Sequence, residues 1–380
     1  MAATQLQAVR KLLGYSADNV ITMLIKRAAM IGEPIMTRAS LKTKLSRWEN
    51  GHEPVSGDIY QRLFRDVLGR TNEELGFPPE LQDDGAAELR SRLAVARTVD
   101  ATTVEIFRRQ VDDARHVDRR FGGISLLDQL RGQISQIEDL LRHGPQRGQR
   151  EQLAAVLTEA STLAGWESLD RNAIRQAWDH YERAKTAARE AGSTALLAHA
   201  TAEQAFVLID LGEFRSALDQ FAEARKLAGN DVTPLLRAWL AAAQGEGYAV
   251  AGHHDQTQEC FDNAKSLLPA NPPDSSLPFL FLGDSHLDRW HGNALARLGD
   301  PMAIEHLTAT LSRIPQEFTR SRVGMLVDLA LAHASAGNRE AARSFSQQAR
   351  RLGQQIKSDR QLRRLDQLIL PVRNSPIAGV

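Results

Sequence analysis

The C-terminal half of the sequence contains a repeat of about forty residues, and this feature restricts the fold more than any other. The segments AWDHYERAK, ALDQFAEAR and TQECFDNAK align without gaps and place Tyr181, Phe221 and Phe261 at equivalent positions. Looser copies of the repeat place Leu307 and Phe345 at the position equivalent to these aromatic residues. Periods of roughly 20 to 50 residues indicate arrays in which each unit covers the apolar face of the next.

Two further positions recur together with the aromatic residue. A glycine stands ahead of four of the helices, where it allows the left-handed turn that ends a helix. These glycines are Gly212, Gly252, Gly299 and Gly337. Before each glycine stands a small residue that lets a paired helix approach closely, namely Ala205, Gly245, Gly292 and Ala330. The combination predicts stacked helical hairpins.

Apolar residues three and four apart dominate nearly the whole chain, and runs of alternating β-branched residues are absent. This pattern predicts an all-α fold. Breaks rich in proline and glycine, GFPPELQDDGAAE and RHGPQRGQR, divide the chain. We expect an N-terminal domain at 1–80, a helical linker or dimerisation region at 81–147, the repeat domain at 148–370 and a tail at 371–380.

Composition excludes several classes of protein. The net charge is zero, and no apolar run approaches the roughly 18 to 20 residues that cross a bilayer. We therefore expect a cytoplasmic protein with no membrane partner. The single cysteine, Cys260, excludes an internal disulfide and a cysteine cluster for zinc. Dispersed histidines and the lack of a glycine-rich phosphate loop predict no metal site and no cofactor.

The segment FLGDSHLDRWHG imitates two catalytic signatures of hydrolases, a Gly-Asp-Ser triplet and Asp288 followed by His291. Those signatures belong on a strand end and on a distant loop, whereas the periodicity here places both on one helix. We therefore predict that the protein is not an enzyme. Catalysis by this segment is the alternative.

Charge is distributed unevenly near the N-terminus. The first fifty residues hold eight Lys or Arg and three acids, whereas residues 51–80 hold three and six. Within the basic part, ASLKTKLSRWENGHEP predicts a helix of about ten residues between Ser40, a good N-cap, and Gly51, a good residue after the last turn. Its predicted core face consists of Leu41, Leu45 and Trp48.

The opposite face of this helix carries two cations and two hydroxyls. These residues are Lys42, Thr43, Ser46 and Arg47. Glu49 is the only acid predicted to oppose them. Side chains of these types donate to phosphates and to base edges in the major groove of DNA. A surface helix whose charges are merely solvated is the alternative.

The segment SLKTKLSRWENG resembles the recognition helix of the phage-repressor (XRE) helix-turn-helix family, and SADNVITMLIKRAAMIG resembles its supporting helix. The similarity covers about residues 4 to 77 and implies binding to double-stranded DNA. By position it implies base contacts from Lys42, Thr43 and Arg47, with Ser46 and Lys44 beside them. The connection GEPIMTRA is longer than the turn of that family, and Arg38 at its tip is expected to reach the DNA backbone.

The repeat resembles the tetratricopeptide (TPR) pattern over about residues 150 to 355, best in AFVLIDLGEFRSALDQFAEARKL. An armadillo- or HEAT-like solenoid is the alternative. Either architecture implies a concave groove that is lined by the first helix of each pair and holds a peptide, a partner helix or a small molecule. The polar residues predicted to contact a ligand in this groove are Glu203, Glu246, Asn293 and Asp328 at inward-facing repeat positions, with Arg289 near them. Hydrogen bonds to neighbouring helices are their alternative role.

Together these resemblances imply a cytoplasmic XRE-type transcriptional regulator with C-terminal TPR repeats, a type abundant in actinobacteria. Half-site recognition predicts a homodimer. The charged segment RRQVDDARHVDRRFGGISLLDQL is expected to form either the dimer seam or a salt-bridged helix that links the domains. The repeat domain is expected to sense a peptide, a small molecule or a protein partner and to modulate operator binding. The alternative is a TPR scaffold that binds protein and no DNA.

Overall fold

The computed structural model describes residues 4–78, 85–123, 126–270, 277–280 and 282–368. Every regular element in these ranges is a helix and no strand occurs among them, which confirms the predicted all-α class. The chain divides into two units, Met1–Leu89 and Arg90–Val380. Part of the proline-rich break, residues 79–84, and the tail predicted at 371–380 lie outside the described residues.

The first unit consists of short helices and the start of a longer one. They are α1 (Gln5–Leu12), α2 (Ala17–Ile31), α3 (Arg38–Glu49), α4 (Asp58–Leu68), α5 (Asn72–Leu75) and α6 (Gly85–Arg97). A capping box opens α5, because the Thr71 hydroxyl accepts the backbone N–H of Glu74 and the Glu74 carboxylate accepts that of Thr71. The centre of this unit consists of Leu24, Leu41, Leu45, Leu63 and Phe64, all almost fully buried.

Helix α3 begins earlier than the sequence predicts. Its N-cap is Thr37, whose hydroxyl accepts the backbone N–H of Ser40 at 3.4 Å. The prediction of Ser40 as the N-cap is therefore wrong, since both residue types cap well and Thr37 comes first along the chain. Arg38 consequently lies in the first turn of α3 and not at the tip of a loop.

The second unit contains the remaining helices. They are α7 (Ala101–Phe121), α8 (Leu126–Arg142), α9 (Arg147–Asp170), α10 (Ile174–Glu190), α11 (Thr194–Leu211), α12 (Phe214–Ala228), α13 (Pro234–Val250), α14 (His254–Leu267), α15 (Asp284–Leu298), α16 (Met302–Arg313), α17 (Thr319–Ser335), α18 (Arg339–Ile356) and α19 (Asp359–Asp366). From α9 to α18, consecutive helices pack as hairpins. The first helices of these hairpins, α9, α11, α13, α15 and α17, also pack against one another in turn.

The hairpins close tightly where the repeat places a small residue. A Cβ atom on Gly245 would lie 2.8 Å from the ring of Phe261, a distance that real Cβ atoms almost never show. A Cβ atom on Gly165 would likewise lie 2.8 Å from the ring of Tyr181, so the first hairpin shows the same close packing. In the turn of that hairpin Asn172 has a positive φ of 58°. Asn172 stands where the other repeats have glycine, because Asn tolerates the left-handed conformation better than most residues.

Helix α7 joins the two ends of the hairpin array. It packs against α9 in the first hairpin and against α17 in the last, and α19 also packs against both of these helices. The core that α7 and α8 share with α9 includes Val104, Phe107, Ile134, Leu153 and Val156. Both α7 and α8 fall in the region predicted as a helical linker or dimerisation region, and both pack against α9 of the first hairpin. The predicted concave groove is therefore a cavity that is also bordered by α7 and α19.

Candidate functional site

A cavity of about 270 Å³ lies within the second unit, surrounded by the first helices of the hairpins. Side chains from α7, α9, α11, α13, α15, α17 and α19 line it. All five polar residues predicted to face a groove line this one cavity, namely Glu203, Glu246, Arg289, Asn293 and Asp328. The structure thus brings these residues together, while their contact with a ligand stays a prediction.

Asn293 and Asp328 hold neighbouring helices together. The side-chain amide of Asn293 donates to Asp328 Oδ1 at 2.8 Å, which links α15 to α17. Arg364 of α19 donates to the same carboxylate oxygen at 2.7 Å. The remaining amide oxygen of Asn293 accepts from Arg297 Nε at 3.1 Å. For these two residues the alternative role, hydrogen bonding between helices, is the one that the structure displays.

Arg289 and Glu246 face the same cavity from α15 and α13. Within the described residues neither side chain makes a hydrogen bond or an ion pair, and Nε of Arg289 is buried without an acceptor. Burial lowers the pKa of Arg289, and the charges of Glu246 and Asp328 oppose this change. Burial likewise raises the pKa of Glu246, opposed first by Arg297. Buried polar groups of this kind are normally satisfied by water or by a ligand.

Glu203 is a carboxyl group that titrates close to neutral pH. Burial raises its pKa to about 7, although a hydrogen bond from the Tyr181 hydroxyl opposes the shift. That hydroxyl lies 3.3 Å from Oε2, and Nε2 of His199 lies 3.6 Å from Oε1. Burial lowers the pKa of His199 to about 3, so its imidazole is neutral at pH 7. Near neutral pH Glu203 can therefore act either as a donor or as an acceptor.

Arg320 in α17 is held by carboxylates from two other helices. It lies 2.5 Å from Asp118 of α7 and 3.1 Å from both Glu167 and Asp170 of α9. Glu167 is fully buried, and this burial raises its pKa well above the usual value. Sequence reasoning missed this cluster. The dense charge of α7 was the available signal, but it was interpreted as a dimer seam or a linking helix.

A second missed cluster surrounds Trp166 of α9. The guanidinium carbons of Arg320 and Arg360 lie 5.7 and 5.5 Å from the centre of its ring. Arg360 of α19 also forms two hydrogen bonds, of 2.7 and 2.8 Å, with the carboxylate of Asp210 in α11. These contacts attach α19 to α9 and α11, so α19 completes the wall of the cavity.

Aromatic rings form another part of the wall. Trp290 packs edge-on against Trp239 at 5.6 Å and against Phe206 at 6.4 Å between ring centroids. His199 lies between Trp239 and Phe279, at 4.7 and 4.6 Å. The cavity therefore combines an apolar aromatic side with charged groups.

The second candidate site is the exposed face of α3 in the first unit. The predicted core face is confirmed, because Leu41, Leu45 and Trp48 are 0%, 1% and 3% exposed. The residues predicted to face DNA and exposed to solvent are Lys42, Thr43, Ser46 and Arg47. Lys44 is half-buried and lies beside them. Their contact with DNA stays a prediction.

The acids around α3 differ from those expected. Glu49 does not oppose the basic face, because it is buried and forms a two-point ion pair with Arg10 of α1 at 2.5 and 2.7 Å. Glu53, which follows the helix, lies 2.9 Å from Lys44 and 3.3 Å from Arg47. The local counter-charge of the basic face is therefore Glu53 and not Glu49.

Arg38 is exposed and bound to α2. Its guanidinium donates to Asp18 at 2.8 Å and to the Thr22 hydroxyl at 3.0 Å. These bonds link the first turn of α3 to the supporting helix. A contact of Arg38 with the DNA backbone would have to replace its ion pair with Asp18. An exposed ion pair of this kind contributes little to stability.

The remaining sequence signals have structural roles. Asp288 and His291 both lie on α15, where Asp288 pairs with Arg313 at 2.6 Å and His291 stacks on Phe261 at 4.8 Å. Cys260 is buried, and burial raises the pKa of its thiol. Among the residues that the structure describes, no cluster of His, Cys, Asp or Glu is arranged to hold a metal ion. No helix in those ranges has the length and apolarity needed to cross a membrane.

No protein-family model matches the sequence, and no curated protein is significantly similar to it. The function is therefore inferred from the chemistry of the cavity and of α3.

Proposed function

We propose that this protein is a dimeric, cytoplasmic DNA-binding transcriptional regulator whose second unit binds an effector that modulates operator binding. Its first unit is an XRE-type helix-turn-helix domain formed by α2 and α3, and its second unit is a TPR-like array. One observation carries the proposal, which is that α3 buries its apolar face and exposes a face of cations and hydroxyls. These exposed residues are Lys42, Thr43, Ser46 and Arg47.

The basic face of α3 suits a DNA duplex. A helix of this width fits the major groove, where Arg and Lys donate to guanine edges and hydroxyls reach bases or phosphates. In this arrangement Arg47 and Lys42 read bases, while Lys44 and Arg38 contact phosphates. The buried pair between Arg10 and Glu49 holds α3 against α1, so the face is supported by a rigid domain.

The cavity supports the sensing part of the proposal. It contains an arginine and a carboxyl group, Arg289 and Glu246, that find no partner among the described residues. An effector that pairs with them changes the relative free energies of alternative arrangements of the surrounding helices. Such a population shift is how a ligand alters a second binding activity.

Exposed apolar residues on α7 support the dimer. Ile106, Val117 and Phe121 are 48%, 40% and 60% exposed, and their spacing places Val117 and Phe121 on one stripe of the helix. The opposite face of α7 is buried in the second unit. A second copy of the chain would cover this stripe.

The DNA-binding activity is tested by retaining genomic fragments on the purified protein at low salt and sequencing them. The affinity for a selected fragment should fall steeply and linearly in a plot of log affinity against log salt. Arg47→Ala should weaken binding to it by about 1 to 3 kcal/mol and relax one operator position. Arg62→Ala removes an exposed arginine from α4 and is the matched control, with little effect expected.

Lys44→Ala separates the proposed phosphate contact from base reading. It should weaken binding to all sequences about equally and reduce the salt slope. A loss confined to one sequence would reassign Lys44 to base contact. If no fragment is retained at low salt, the regulator proposal fails and a protein-binding scaffold replaces it.

A further inference from the structure

Most charged side chains that line the cavity are neutralised within the chain. The ion pairs are Arg115 with Glu159, Arg360 with Asp210, Arg364 with Asp328, and Arg320 with Asp118, Glu167 and Asp170. Such pairing is what a folded chain normally requires of buried charges. These pairs neutralise the charges of the wall, although Nε and Nη1 of Arg320 have no hydrogen-bond acceptor among the described residues.

Besides Glu203, which accepts a hydrogen bond from Tyr181, three charged groups that line the cavity differ from this pattern. Within the described residues Arg289, Arg297 and Glu246 form no ion pair, and Arg297 donates only to the neutral Asn293. Arg289 and Arg297 lie on one stripe of α15, two turns apart. Glu246 on α13 is near enough for its charge to interact with both. The site thus presents two cations and one anion that do not contact each other.

The arginines keep their charge at neutral pH. Burial lowers the pKa of Arg297 only to about 10, and the guanidinium of arginine stays protonated in proteins. A guanidinium recognises a carboxylate in a planar, two-point geometry. A doubly charged phosphate would fit less well, because Glu246 and Asp328 would repel its second charge.

The rest of the cavity limits the size and polarity of a ligand. Its volume of about 270 Å³ is just below the range of roughly 300 to 1,000 Å³ for ligand pockets. A helix or a long peptide therefore does not fit inside. Trp290 and Phe206 supply an apolar wall beside the arginines.

We propose that this cavity binds a zwitterion of amino-acid size. Its carboxylate pairs with Arg289 and Arg297, its ammonium group lies beside Glu246, and its apolar or aromatic side chain packs against Trp290 and Phe206. This inference rests on the sensing part of the proposed function and names the effector class. The zwitterion supplies all three of Arg289, Arg297 and Glu246 with the opposite charge, which neither a simple acid nor a simple amine does.

The experiment is calorimetric titration of the full-length protein, without DNA, with the standard amino acids. The tightest binder is then compared with its deaminated acid and its decarboxylated amine, for example indole-3-propionate and tryptamine if that binder is tryptophan. We expect both analogues to bind on the order of tenfold more weakly or worse. Equal binding of the acid overturns the role of Glu246, equal binding of the amine overturns the role of the arginines, and no binding by any amino acid overturns the proposal.

Substitutions of the cavity residues test whether they bind the ligand. Arg289→Gln and Glu246→Gln should each weaken binding of the tightest amino acid on the order of 30-fold. Arg313→Gln, which alters an exposed arginine outside the cavity, is the control and should leave the affinity unchanged. Arg289→Lys keeps the charge and loses the two-point geometry, so it gives a second test if Arg289→Gln does not fold. An unchanged affinity in both Arg289 variants would place the ligand elsewhere.

This titration is independent of DNA binding. If an amino acid binds but no DNA is retained, the regulator proposal fails while the ligand assignment stands. If DNA is retained but no amino acid binds, only the ligand assignment fails.

Discussion

Arg320 lies 2.5 Å from Asp118, and this ion pair joins α17 of the last hairpin to α7, which precedes the first. The same guanidinium is 3.1 Å from Glu167 and from Asp170 of the first hairpin. Because one arginine is held by carboxylates of two helices, it connects both ends of the array. These ion pairs hold the two ends of the cavity wall together.

Replacing Arg320 by methionine should destabilise the second unit strongly. Arg320→Met keeps most of the side-chain length but leaves three carboxyl groups without a cation. Breaking a buried ion pair by removing one partner costs about 3 to 5 kcal/mol. Urea unfolding followed by circular dichroism would measure this cost.

The control for this change is Arg350→Met, which breaks an exposed ion pair with Asp366. The side chains of Arg350 and Asp366 are 42% and 60% exposed, so the expected loss of stability is about 1 kcal/mol or less. Equal losses in the two variants would show that the Arg320 cluster does not hold the array together.

Glu203→Gln should change how stability depends on pH. Because the folded state raises the pKa of Glu203 from 4.5 to about 7, it favours the protonated form. Its contribution to the free energy of unfolding is complete below the ordinary pKa of glutamate and is lost as pH rises through about 7. Glutamine cannot ionise, so the variant should gain roughly 1 to 3 kcal/mol relative to the wild-type protein over this window.

Thermal unfolding of both proteins at a series of pH values would measure this effect. The comparison cancels the contributions of other groups to the pH dependence, including that of His199, whose pKa falls from 6.5 to about 3 on folding. The groups that act on Glu203 are Tyr181 of α10, Arg360 of α19, Glu246 of α13 and His199 of α11 itself. Parallel pH profiles would mean that folding does not raise the pKa of Glu203.

The local part of the fold was predictable because it follows from short spacings. A small residue, a turn and an aromatic residue within one hairpin are enough to predict the approach of Gly245 to Phe261 at 2.8 Å. Helical periodicity likewise predicts which face of α3 is buried. Four polar residues of the cavity, Glu203, Glu246, Asn293 and Asp328, were placed on one side of the array by the same rule, since equivalent repeat positions point to the same side.

The closure of the array was not predictable from the sequence. It depends on pairs such as Arg320 with Asp118 and Arg360 with Asp210, which are far apart in the chain. Nothing local distinguishes these residues from solvated surface charges. The buried position of Glu49 was not predictable for the same reason, because it depends on an ion pair with Arg10 of another helix.

Gly165→Ala should destabilise the first hairpin. A Cβ atom there would lie 2.8 Å from two atoms of the Tyr181 ring, which is itself fully buried and cannot move aside. Overpacking of this kind costs typically about 1 to 3 kcal/mol. Chemical unfolding would measure the loss.

The matched control is Gly132→Ala in α8, where nothing lies within 4 Å of the added atom. Alanine is favoured over glycine inside a helix by roughly 0.5 to 1 kcal/mol, so this variant should be slightly more stable. Opposite signs for the two glycines are expected. The same sign would contradict the close packing of α9 on α10.

Val117→Glu should weaken the proposed dimer. The side chain is 40% exposed on the apolar stripe of α7, and a carboxylate there would lose its hydration in a dimer seam. Sedimentation equilibrium should show a larger dissociation constant and an unchanged thermal stability at low concentration. Leu211→Glu, at a site that is 55% exposed on α11, is the control for added charge. A Val117→Glu protein that dimerises as tightly as the wild-type protein would exclude α7 as the seam.

Glu49 and Glu53 should respond to neutralisation in opposite ways. Glu49→Gln breaks the buried two-point pair with Arg10, so it should destabilise the first unit by about 3 to 5 kcal/mol and should not tighten DNA binding.

Glu53→Gln instead releases Lys44 and Arg47 from their nearest carboxylate. It should strengthen binding to any duplex at low salt, with the gain disappearing as salt screens the charges. Fluorescence anisotropy with a labelled duplex, together with urea unfolding, separates the two effects. Tighter binding by Glu49→Gln with unchanged stability would mean that Glu49 faces the DNA, as the sequence alone suggests.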